Sequence, residues 1–68
     1  MGMTGTDRRN DMIRRIRESG SPVSGASLAA CYQVSRQVIV QDIALLRAAG
    51  YEVISTNRGY VLAGTGEG

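Results

Sequence analysis

Histidine, lysine, tryptophan and phenylalanine are all absent from this chain, and cysteine and proline occur once each. With no histidine and only Cys31, the chain has no zinc ligand set, no Cys-His nucleophile pair and no disulfide framework. Cys31 reads as a small buried hydrophobe. No nucleophile, base or metal set remains for a catalytic site, so neither an enzyme nor a cofactor is expected. Aromatic residues are limited to Tyr32, Tyr51 and Tyr60, which leaves a mostly aliphatic core. A core of that kind in 68 residues supplies modest net stability and a modest melting temperature. No apolar run is long enough to span a bilayer, and the N-terminus carries no apolar signal segment, so a cytoplasmic location without membrane attachment is expected.

What is present is ordinary for one small globular unit: 43% hydrophobic and 21% charged residues, with a net charge of +2. All eight basic residues are arginine. Arginine forks onto phosphates and guanine edges, which leans toward nucleic acid, although a GC-rich coding sequence produces the same bias.

Residues 1–6 and 64–68 are rich in glycine and threonine without apolar periodicity and read as disordered tails flanking a domain over 7–63. Thr6 or Asp7 is placed to cap a first helix, whose Met12, Ile13 and Ile16 share a face and which Gly20 ends. Its five arginines solvate the other faces, with Asp11 set to pair with Arg15 and Arg14 with Glu18. Ser21-Pro22 extends the chain, Val23 makes a single-residue strand contact, and Ser24 caps a second helix from Gly25 to Tyr32. Gln33-Val34-Ser35 allows only a tight turn, with Ser35 capping a third helix from Arg36 to Ala49 that Gly50 stops. The period then changes to two: Tyr51 to Thr56 is a strand, and a turn at Asn57-Arg58-Gly59 returns it through Tyr60-Val61-Leu62. Ile16, Leu28, Val34, Ile43 and Leu46 form the predicted core, covered by Val53 and Leu62. The pattern is α+β, a small winged helix-turn-helix of three helices followed by a β-hairpin wing.

At about 100° per residue, Ile43 and Leu46 fall within about 40° of Ile39 and make the buried stripe of the third helix. Gln37, Gln41, Ala44 and Ala48 lie opposite. The exposed N-terminal half therefore offers Ser35, Arg36, Gln37, Val40 and Gln41. A glutamine amide bonds N6 and N7 of adenine, an arginine forks onto guanine or clamps phosphate, and a valine sits on a thymine methyl. The plainer alternative is that two exposed glutamines are a soluble face. Asp42 would repel phosphate, so it is assigned a structural contact, with an arginine of the first helix as candidate partner. Val38 and Leu45 form a second apolar stripe, expected to be covered by the first helix and otherwise a protein contact. At the wing tip Arg58 reaches a phosphate or the minor groove, with Thr56 and Asn57 in support. Asn57 and Gly59 are equally explained by a turn that needs positive φ.

Ser24-Gly25-Ala26-Ser27-Leu28-Ala29, Val34 to Ile43, Leu46 to Tyr51 and Asn57 to Leu62 together resemble the N-terminal winged helix of biotin-repressor-like regulators. The Ser35 to Ile43 segment and the Thr56 to Tyr60 wing look most like those of niacin-responsive bacterial repressors. The resemblance implies DNA contact by Ser35, Arg36, Gln37, Val40, Gln41 and Arg58. It also implies a separate effector domain with three metal-binding histidines, which this histidine-free chain does not contain.

Two functions follow from different premises. One is sequence-specific binding of a double-stranded DNA operator for transcriptional repression, by a module that is monomeric in isolation and dimerises through sequence absent here. The other is a winged-helix protein-interaction module docking through Val38, Val40 and Leu45, without DNA readout.

Overall fold

Three hydroxyl side chains start the three helices. The computed structural model describes residues 4–63. In it Thr4, Ser24 and Ser35 stand in extended backbone, and each accepts a hydrogen bond from the amide three residues on, at 3.1, 3.0 and 3.3 Å. Each such cap contributes about 1 kcal/mol. The helices they open are α1 (Gly5–Ser19), α2 (Gly25–Tyr32) and α3 (Arg36–Ala48). Ser24 and Ser35 are the expected caps, but α1 begins earlier than its periodicity suggests. Thr4 is its cap, and Thr6 and Asp7 lie in its first turn, where the Asp7 carboxylate faces the positive end of the helix dipole. The expected tail is thus helical from Gly5, and the rest of the expected tails, residues 1–3 and 64–68, lies outside the described residues.

Gly20 ends α1 with φ 74°. Gln33 ends α2 in the same left-handed region, φ 56°, a conformation that costs a non-glycine residue about 1 kcal/mol. Its amide donates to the Ala29 carbonyl, and so does the amide of Val34, at 3.0 Å. That doubled closure is what compresses the link to α3 into a tight turn. α3 stops one residue before the expected Ala49, which forms the cap.

Strands β1 (Val53–Thr56) and β2 (Gly59–Leu62) pair antiparallel, Val53 with Leu62 through Thr56 with Gly59. Val23 adds the anticipated single bridge to Tyr60, exchanging amide bonds of 3.1 and 2.8 Å. Gly59 lies directly against that bridge. A side-chain carbon there would stand 2.5 Å from the carbonyl of Val23 and 2.7 Å from the amide of Ser24, with φ at 142°. Asn57, by contrast, does not take the positive φ expected of it. The Thr56 hydroxyl closes the turn instead, accepting from the amides of Arg58 and Gly59, each at 3.1 Å, and donating to the Gly59 carbonyl at 2.7 Å.

The core is aliphatic, as the scarcity of aromatics requires. Met12, Ile13, Ile16, Leu28, Ala29, Ile39, Ile43, Leu46 and Val53 are buried, and Val34 and Leu62 pack against them from partly exposed positions. Cys31 corrects the sequence reading, because it is exposed. It borders an open groove between α1 and α2 whose α1 wall is Asp11, Arg14, Arg15 and Glu18, too polar to cover it. On that wall Asp11 pairs with Arg15 at 3.8 Å, as expected, while Arg14 turns back to Asp11 at 3.4 Å rather than forward to Glu18. The Tyr32 hydroxyl donates to the same Asp11 carboxylate, tying the end of α2 to α1.

Candidate nucleic-acid interface

Helix α3 is buried along Ile39, Asp42, Ile43 and Leu46, which leaves its remaining circumference to solvent. Ser35, Arg36, Gln37, Val40 and Gln41 are all exposed, Val40 by 51%, and Ala44 and Ala48 continue the open face without bulk. The amide side of the helix therefore faces outward, as the periodicity requires. Asp42, which would repel phosphate on that face, is 2% exposed and is taken up by arginines of α1. Ser35 spends its oxygen on the Val38 amide, which leaves the hydroxyl proton free to donate outward.

Arg36 departs from this stripe. It lies over the start of α2, where a methyl on Gly25 would sit 3.5 Å from Arg36 Nε and 3.8 Å from its Cγ. There it lines a cleft shared with Ser24, Gly25, Tyr60 and wing residues 55–59, so Arg36, Thr56, Asn57 and Arg58 are brought together while Gln37, Val40 and Gln41 stand apart from them. Of this lining, Ser24, Gly25, Ser55 and Tyr60 carry no expectation of DNA contact from the sequence. Their place in the cleft depends on the Val23–Tyr60 bridge, a long-range contact whose partner residue has no local signal.

Two side chains have duties that sequence reasoning does not assign. The Thr56 hydroxyl gives its proton to the Gly59 carbonyl, so it shapes the wing tip and has none left to donate to a phosphate. Arg47, on the flank of α3, donates from Nε to the Val53 carbonyl at 2.9 Å and holds the base of the wing. Leu45 is 51% exposed and only Val38 of that pair is partly buried, so the expected cover by α1 is incomplete. The cause is that α1 crosses α3 at Asp42 with polar contacts through Arg8 and Arg9.

No helix among the described residues is long and apolar enough to cross a membrane. No group of three histidine, cysteine, aspartate or glutamate residues among them is placed to hold a metal ion, and the whole chain lacks histidine. The three-histidine metal set implied by the resemblance does not fit the residues of this chain.

A family model described as an HTH domain matches residues 8–61. The probable transcription repressor NiaR of Thermotoga maritima is 57% identical over 58 residues, covering 85% of this chain and 33% of that protein. The transcription repressor NadR of Bacillus subtilis is 48% identical over 59 residues, covering 87% of this chain and 33% of its own length. The chain thus spans about a third of the length of these curated relatives.

Proposed function

The chain belongs to the HTH domain family, and from that premise we propose that it is the DNA-reading module of a transcriptional repressor. In this reading α3 enters the major groove of a double-stranded operator. Gln37 and Gln41 bond adenine edges, Val40 meets a thymine methyl, Ser35 donates to phosphate, and the wing lies alongside with Arg58 on the backbone. The observation that carries it is the outward face of α3, where two amides and the half-exposed Val40 are left open while the neighbouring carboxylate of Asp42 is withdrawn and neutralised.

The regulator's remaining duties are proposed to lie in the two thirds of such proteins that this chain does not span. These are a response to nicotinic acid, as the resemblance to niacin-responsive repressors implies, and the dimerisation that paired half-sites require. The module alone is monomeric.

One observation favours a second reading, the interaction module. Leu45 is an exposed leucine on a helix that the first reading leaves unexplained there. It lies about 140° around α3 from Val40, however, so the two do not form one patch.

Fluorescence anisotropy with labelled duplexes at several salt concentrations tests the proposal. Affinity is expected to fall by about a decade or more between 50 and 200 mM salt, the mark of phosphate contacts. A flat salt response with equal binding to all duplexes refutes DNA readout and leaves the interaction module standing.

A further inference from the structure

Arg36 begins the recognition helix and Arg58 tips the wing, yet both line one cleft of about 160 Å³ where α2, α3 and the hairpin meet. We infer that this cleft holds a single phosphodiester of the bound duplex, gripped by both guanidiniums, and that Arg36 is a backbone clamp rather than a reader of guanine. The inference rests on the DNA-binding reading above and deepens it.

The lining carries two cations and no carboxylate. Ion pairs among the described residues engage Arg8, Arg9, Arg14 and Arg15, so no carboxylate among them answers the charge of Arg36 or Arg58. Two arginines in the lining of one hollow favour any anion that enters. Part of the remaining lining donates too. Ser24 accepts from the Ser27 amide and so keeps its hydroxyl proton for a ligand. The amide of Gly25, the first of α2, lacks an intrahelical partner and sits at the positive end of its dipole.

The placement of Arg36 favours the clamp over guanine reading. Its stem packs on Gly25 of the preceding helix, which draws the guanidinium toward the wing and away from the stripe of Gln37 and Gln41. A side chain held there meets the rim of the groove, where the phosphates run, and not the base edges on its floor. The cleft is also held open at a set width. Its far wall is anchored by the paired amides of Val23 and Tyr60, and the wing cannot slide closer because Gly59 already touches the backbone of Val23. One phosphate held from both sides ties the recognition helix and the wing to the same linkage, which sets the register in which the glutamines meet the bases.

The test uses the full chain, with Arg36→Ala, Arg58→Ala and the double variant, on a duplex that wild type enriches from a randomised library. It adds a series of that duplex carrying one neutral methylphosphonate linkage at each backbone position in turn. Both substitutions are exposed, and unchanged circular dichroism melting verifies that the variants fold. Each single substitution is expected to weaken binding about tenfold, the loss of a charge-assisted bond, and the double by clearly less than the product. At one linkage, methylphosphonate lowers wild-type affinity to the level of the double variant, and neither substitution then costs anything more. Sensitivity at two different linkages, additive losses, or an Arg36→Ala effect that depends on a base pair overturns the shared clamp while leaving DNA binding intact. If wild type enriches no duplex, the DNA reading fails and the clamp fails with it.

Discussion

The Asp42 carboxylate of α3 is held in a fork by Arg8 of α1: Nε donates to Oδ2, and a terminal nitrogen donates to Oδ1 at 3.1 Å. Arg9 adds a third bond, to Oδ1 at 3.1 Å. Aliphatic contacts between α1 and α3 are non-directional, whereas a bidentate fork has one geometry. The fork therefore fixes the rotation of α3 about its axis one residue away from Gln41. The same hydrogen bond raises the Arg8 pKa above its ordinary value, against a smaller opposing effect of burial, so the guanidinium stays charged.

Asp42→Ala removes the shared acceptor and leaves two guanidiniums facing each other at the helix junction. Loss of one partner of a buried pair costs about 3 kcal/mol or more, a large part of the stability of a domain this small. Urea denaturation followed by circular dichroism measures it, and a loss under about 1 kcal/mol would contradict the buried, fully engaged role.

Gln37→Ala is expected to cost about 1 to 3 kcal/mol of discrimination at one or two base pairs and little on unrelated duplexes. Competition binding against every single base-pair change in the selected duplex reads this directly. Uniform weakening on all sequences would move Gln37 from base reading to general contact.

Gly59→Ala places a carbon against the Val23 carbonyl, which is backbone and cannot turn aside, at a φ that side chains avoid. A loss of about 2 kcal/mol or more is expected. Hydrogen exchange should show the Val23 and Tyr60 amides losing protection before those of the helices. A variant as stable as wild type would show that the wing is free to shift.

Burial pushes the Tyr32 hydroxyl above the usual tyrosine range, and the hydrogen bond to Asp11 adds to this, while Arg15 pulls the other way. A folded-state pKa raised above the unfolded value means a stabilising contribution that is complete below about pH 10 and lost as pH rises through the folded pKa. Unfolding free energy is expected to fall above about pH 10, and Tyr32→Phe removes the Tyr32 part of that fall. Ultraviolet titration should show a tyrosine step above about pH 10 that Tyr32→Phe removes. A curve that Tyr32→Phe leaves unchanged there would rule this out.

Cys31→Ser is expected to leave stability within about 0.5 kcal/mol of wild type, as surface substitutions usually do. The native wild-type thiol should react with Ellman's reagent without a lag for unfolding, since the side chain lies at the surface. Protection of that thiol in the folded protein would restore the buried placement.

Local signals made much of this fold legible. Ser24 and Ser35 announce their helices because a hydroxyl before an apolar-periodic run answers amides only three residues away, and Gly20 and Gly50 mark stops through backbone freedom alone. The same reach explains the errors. Thr4 does not stand out as the cap because Thr6 and Asp7 are equally able caps by composition. Cys31 reads as buried because α2 is apolar on most sides, and nothing in eight residues says which side a neighbour will cover.

Periodicity in the chain was enough to determine three helices, a hairpin and an outward amide face on α3, because each follows from spacing over at most a few turns. The contents of the wing cleft, the direction of Arg36, which arginines of α1 hold Asp42 and the commitment of the Thr56 hydroxyl were decided only when distant segments met. Those contacts depend on the positions of side chains from separate elements, and a backbone period carries no information about them.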